Sequence, residues 1–226
     1  MTSLNKKASG GFSLLELLIA MVITMALMTA ASTLLAQALR VRSRENQKSD
    51  ALADAQRALN IMSREIANTG FNMTGNGIVA TDSGANTIRI RSNLNRYDTS
   101  ASTASRDNII DPGEDIKYFI NEVEETKYLA RYDPYGNGKT VLANRIDGMT
   151  IHYYDRKVTY TAGPNAYDIS NASATPVSPE NAKYIVIAIA VRLDPVGQPG
   201  SPGYQPSYSV LLCSDVALRN TDLWNY

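Results

Sequence analysis

The chain of 226 residues has little of what reactive sites are usually built from. It carries one cysteine, Cys213, and one histidine, His152. A single cysteine rules out an intrachain disulfide. One Cys with one His excludes a Cys/His metal site and leaves a His-based nucleophilic triad unsupported. Cys213 alternates with Leu211 in an apolar run, so it reads as a buried, inert thiol. His152 reads as a solvent-facing or hydrogen-bonded strand residue. Neither sign of charge is in excess, with 22 Lys+Arg against 22 Asp+Glu. That balance argues against an electrostatic nucleic-acid binder.

Three local absences say more. From Phe12 to Thr69 there is no glycine and no proline, a run of 58 residues without a helix breaker. Between residues 13 and 70 there is no aromatic side chain, which removes any aromatic path for charge along that segment. From Phe12 to Leu39 the only ionisable side chain is Glu16. What remains from Phe12 to Ala38 is apolar and, as a helix, about 40 Å long, enough to cross a bilayer with some tilt. Lys6 and Lys7 precede it, so the N-terminus is expected on the cytoplasmic side and everything after Leu39 outside.

Three readings fit this segment. It is a plain membrane anchor, or a secretory signal cut after Ala38, or a signal cut on the cytoplasmic side of the apolar run. The secretory reading suffers from an apolar core longer than the usual region and from an acid in its first turn. Glu16 is the feature that needs a cause, since a carboxylate deep in a bilayer costs roughly 2.5–3.5 kcal/mol.

The stretch GFSLLELLIAM, preceded by the basic leader, resembles the N-terminus of type IV pilins and of the pseudopilins of type II secretion. The resemblance implies that a prepilin peptidase cuts after Gly11, that Phe12 becomes the N-methylated terminus, and that Glu16 is the family's glutamate. Cleavage would expose an α-amino group with a reference pKa near 8. That cation can neutralise Glu16 in low dielectric, within one chain or between neighbouring subunits. The implied segments are a cleaved leader at 1–11, a membrane and fibre-core half-helix at 12–39, and a periplasmic domain at 40–226. The implied partners are other pilins or minor pilins, the peptidase, the inner-membrane assembly platform and, before assembly, membrane lipid. The implied location is the bacterial inner membrane, single-pass with a periplasmic C-terminus, and then a pilus or pseudopilus. No cofactor, catalytic residue or nucleic-acid partner is implied.

The second half of the helix is amphipathic. Leu52, Ala55, Leu59, Met62 and Ile66 step by three and four, with Arg57, Asn60, Arg64 and Glu65 off the stripe, so it is expected to dock on the protein's own sheet. Gly70 is the expected stop. Beyond it the period changes to that of strands: 87–92, a hairpin of 114–120 with 127–133, then 139–146, 149–160, 183–193 and 207–218. The fold class is α+β, pilin-like, one long N-terminal helix packed on an antiparallel β-sheet.

AQRALNIMSREIANTGF (55–71), VLANRIDGMTIHYYD (141–155) and SDVALRN (214–220) resemble segments of PilW-like minor pilins. That implies a structural subunit for pilus assembly rather than an enzyme. The alternatives are a J-type pseudopilin of type II secretion and, from another class, a membrane-anchored periplasmic binding domain. Two further clusters were weighed. Asp133 and Asn137, in DPYGNGK, are calcium candidates, but Asp-Pro and Asn-Gly are turn signals in their own right and the hairpin turn is the preferred reading. Arg89, Arg91 and Arg96 would line either a basic nucleic-acid face or a solvated strand face, and the solvated face is preferred.

Overall fold

The computed structural model describes residues 13–94, 110–124, 126–136, 138–163, 168–201 and 203–221. A single helix, α1, runs from Leu14 to Ala67, about 80 Å of uninterrupted rod. Ser13 caps its N-terminus, its Oγ accepting from the Leu15 amide at 3.3 Å. The helix ends at the Asn68 cap, two residues short of Gly70. Gly70 serves the turn that follows. It has φ +74, and a Cβ there would lie 2.7 Å from the Gly75 carbonyl oxygen. Gly77 lies against it, where a Cβ would meet the Gly70 nitrogen at 2.2 Å. The chain leaves the helix through a backbone-on-backbone contact that only glycine permits.

The strands are β1 (Thr87–Arg91), β2 (Asp115–Val123), β3 (Thr126–Asp133), β4 (Gly138–Asn144), β5 (Ile146–Tyr154), β6 (Thr161–Ala162), β7 (Ile169–Ser170), β8 (Tyr184–Leu193) and β9 (Tyr208–Ala217). All pairings are antiparallel. The expected single sheet is two: a meander β1-β2-β3-β4 and a second sheet β5-β8-β9, with β6-β7 as a small ribbon. The division falls at Arg145, the only residue between β4 and β5, with φ +59. A hairpin needs at least two loop residues. One left-handed residue instead turns the chain into a different sheet.

The helix bridges the two sheets, packing on β4, β8 and β9. Its buried face is Ala51, Ala55, Ala58, Leu59, Met62 and Ile66, close to the expected stripe, with Leu52 at its margin. Three alanines let the rod approach the strands closely. Met149, Ile151 and Tyr153 share the inner face of β5, as the alternation implies. Both faces of β8 are covered. Ile185, Ile187 and Ile189 meet the main core, while Val186 and Ala188 meet the segment around Val158 and Ile169. This explains why YIVIAIAV shows no polar alternation.

Candidate functional site: a helix in two environments

From Leu14 to Val41 every side chain except Gln37 stands open, Leu14 at 88% exposure and Met28 at 73%. The mean hydropathy of its best 18-residue window is 2.2, and none of that window is buried. Its polar side chains are quenched locally. Thr24 Oγ1 donates to the Ala20 carbonyl at 2.7 Å, Thr29 to Met25 at 2.8 Å and Thr33 to Ala30 at 2.8 Å. A hydroxyl satisfied by its own helix enters lipid at little cost. The segment is long and apolar enough to cross a membrane.

Glu16 is the third residue of α1, exposed in its first turn. There the helix dipole favours an anion. Ser13 and Glu16 also have capping-box spacing, a helix-start signal in the sequence that the pilin reading passed over. Of the other anticipated site residues, Gly11, Phe12 and Asn137 lie outside the described residues.

Asp133 is buried, and main-chain amides occupy its carboxylate. Oδ1 accepts from Tyr135 at 3.1 Å and Oδ2 from Gly113 at 2.8 Å. Gly136 is needed beside it, since a Cβ there would lie 2.6 Å from Oδ2. The β3–β4 hairpin is the turn the sequence signalled, with Asp133 opposite Gly138. Among the described residues, no group of three or more His, Cys, Asp or Glu side chains is placed to hold a metal.

Two expectations need correction. Cys213 is exposed, not buried. Its alternation with Leu211 was read correctly. Both lie on the outer face of the β8-β9 pair, which Val158, Tyr160, Ile169, Ala172 and Ala174 cover only in part. Its thiol pKa is nonetheless raised, by local desolvation and then by the nearby Asp168 charge, so it stays poorly reactive at neutral pH. Arg89 and Arg91 do not form a free basic face: they are only partly solvated and are paired with acids. Asp115, fully buried between them, accepts from Arg89 Nε at 2.7 Å and Arg91 Nε at 2.8 Å, and Asp82 takes the other side of Arg89 at 2.5 Å. Burial alone would raise the Asp115 pKa. The bonds from Arg89 and Arg91 outweigh it and hold the carboxyl below its ordinary value. Arg96 lies outside the described residues. His152 is hydrogen-bonded, its Nε2 lying 2.5 Å from Asp168 Oδ1.

The junction between the two halves of the helix rests on a residue that composition hides. Arg44 is 5% exposed, and its guanidinium donates to main-chain carbonyls of Leu193 at 3.3 Å, Pro206 at 2.9 Å and Asp194. It thereby clamps α1 to both ends of the β8–β9 connection. Lys48 Nζ sits 4.6 Å from the Tyr208 ring centroid, and Arg145 Nη1 donates to the Gln47 carbonyl at 3.2 Å. Farther along, Glu65 accepts from Tyr118 and from Arg131 Nε at 3.1 Å, tying the helix to β2 and β3. Burial, then the Glu65 charge, raises the Tyr118 pKa. A signal for both ties lay in the sequence. Arg44, Ala51, Ala58 and Glu65 recur every seven residues, one row of the helix surface on the buried side.

No curated protein and no solved structure matches the chain. Residues 6–32 match the family described as the prokaryotic N-terminal methylation motif, which supports a type IV pilin-like prepilin N-terminus on a helix compatible with membrane anchoring.

Proposed function

We propose that the protein is a minor type IV pilin: a structural subunit, not an enzyme, made as a precursor, cut after Gly11 and methylated at Phe12. The observation that carries this reading is the helix itself. Its N-terminal half bears the methylation motif and is bare and apolar, while its C-terminal half is built into a folded domain. A soluble enzyme has no use for 20 uncovered apolar residues between Leu14 and Leu39. A subunit that waits in the inner membrane and then moves into a fibre core needs them in both places. In this reading residues 12–39 form the membrane and fibre-core segment and 40–226 the periplasmic domain. Glu16 receives the amine of Phe12 from its own chain or from a neighbouring pilin. The partners are other pilins, the prepilin peptidase and the inner-membrane assembly platform.

Intact mass and N-terminal fragmentation of the membrane-extracted protein test it. The expected mature chain begins with methylated Phe12. An intact Met1, or a cut after Ala38, overturns the reading. Glu16→Leu is expected to insert normally and to vanish from sheared fibres; its normal incorporation would remove the assembly role from Glu16.

A further inference from the structure

The β8–β9 connection has no role in the reading above, yet it is built with care. After Asp194 it runs through residues 195–207 without one charged side chain, and it carries Tyr204. Val196 and Gln205 extend the hairpin by exchanging two main-chain bonds, each of 2.9 Å. The tip then closes on itself, Ser201 N and Oγ donating to the Gln198 carbonyl at 3.0 and 2.7 Å and Tyr204 N to Ser201 at 3.1 Å. Gly197, Gly200 and Gly203 take positive φ to make those turns. Arg44 fixes the root of this extension to the helix.

The direction of the extension matters most. Its tip passes back along α1 toward the N-terminus. A Cβ on Gly203 would lie 3.5 Å from Gln37 Cγ and 3.6 Å from Arg40 Cδ. Gln37 lies within the apolar segment and is its one partly covered residue. A hydrocarbon core takes about 20 helical residues. Counted from Leu14, that places the outer lipid boundary a turn or so below Gln37. The tip therefore stands at the headgroup layer whenever the helix is inserted. Its chemistry suits that layer: an uncharged, turn-rich backbone, a tyrosine, and the exposed Arg42 cation on the adjoining helix turn, which matches lipid phosphates.

We propose that the tip of the β8–β9 extension, residues 197–201 with Gly203 and Tyr204, seats on phospholipid headgroups and holds the globular domain at a set height and tilt on the membrane before assembly. This rests on the anchoring reading of α1.

The test uses the full chain in liposomes of phosphatidylethanolamine and phosphatidylglycerol. In a Cys213→Ser background, single cysteines carry a spin label at Gln198 in the tip, at Ala31 in the apolar half-helix, or at Thr74 beyond the far end of α1. Accessibility to oxygen and to a water-soluble nickel complex reports depth. The Ala31 label is expected in hydrocarbon, the Thr74 label in water, and the Gln198 label at headgroup depth with nickel access several-fold below that of Thr74. A Gln198 label as nickel-accessible as Thr74, with Ala31 in lipid, overturns the seat and leaves the anchor standing. Ala31 in water removes the anchor and the seat together. Ser201→Cys gives an independent reading of the tip if the Gln198 variant disturbs its turn.

Discussion

The two halves of α1 share a backbone and a lack of glycine and proline, yet the first is far richer in Leu and Met and the two differ in what covers them. Leu14 to Val41 is open on nearly every side, while from Arg44 to Ile66 one face is sealed against two sheets. The sealed half uses small residues where the strands come close, and it carries cations and carboxylates on the rest of its surface. The open half has large side chains all round and one acid at its very start. A helix held by protein needs one apolar stripe, and a helix held by lipid or by other helices needs an apolar circumference. The boundary is a clamp, since Arg44 gives its donors to the last carbonyls of β8 and the first of the approach to β9.

The contrast is broken most forcefully by truncation on each side of that clamp. Ile66→Ala removes a fully buried side chain and is expected to cost about 3 kcal/mol of domain stability. Ile23→Ala is expected to stay within about 0.5 kcal/mol. Chemical denaturation of the detergent-solubilised protein, followed by circular dichroism, compares them. Equal losses would mean that the open half is packed after all. Arg44→Met keeps the apolar stem but leaves three carbonyls without their cation. An expected loss of about 2–3 kcal/mol follows from hydrogen bonds to a charged group, with earlier proteolysis in the β8–β9 connection than anywhere in β2–β3.

Asp115 sharpens the comparison from the distal sheet. Its folded pKa lies below the ordinary value of 3.8. Its contribution is therefore complete above that value and is lost as the pH falls through the lower folded one. Asp115→Asn is expected to cost about 2 kcal/mol at neutral pH, below the usual range for a buried pair because its arginine partners are partly solvated. Its stability should fall less steeply in strong acid than that of the wild type. Urea midpoints across that range measure it, and an equally steep fall in the variant would dismiss Asp115 as the acid-sensitive group. The smallest effect belongs to Cys213→Ser, expected within about 0.5 kcal/mol because the side chain is already solvated. Thiol labelling of the folded protein should reach completion without denaturant, slowly at neutral pH and faster as the pH rises.

Much of the architecture was legible. The helix could be read from the missing breakers, its docking face from the steps of three and four, and the longer strands from alternation or, for β8, from an unbroken β-branched apolar run, usually within a few residues of their observed ends. The β3–β4 turn followed from its Asp-Pro and Asn-Gly pairs. What escaped reading has a common character. Glu65 was placed off the buried stripe and Arg44 drew no reading, because periodicity assigns a side chain to a face without saying what faces it. Arg89 and Arg91 looked like a solvated strand face, because the acid that neutralises them lies on the neighbouring strand 24 residues or more along the chain. Cys213 was read as buried because it alternates with Leu211 in an apolar run, but the extent of cover on that face depends on distant parts of the chain.

By itself the sequence determined the helix, its apolar and amphipathic halves, and the methylation motif at its beginning. These are local properties of propensity, hydropathy and spacing, and the chain states them wherever it folds. Only the tertiary structure decided that one residue at Arg145 splits the strands into two sheets, that a buried arginine fastens the rod at its change of environment, and that the uncharged hairpin tip returns to the level of Gln37. Each depends on which remote backbone atoms come to lie within bonding distance, and a linear pattern carries no record of that.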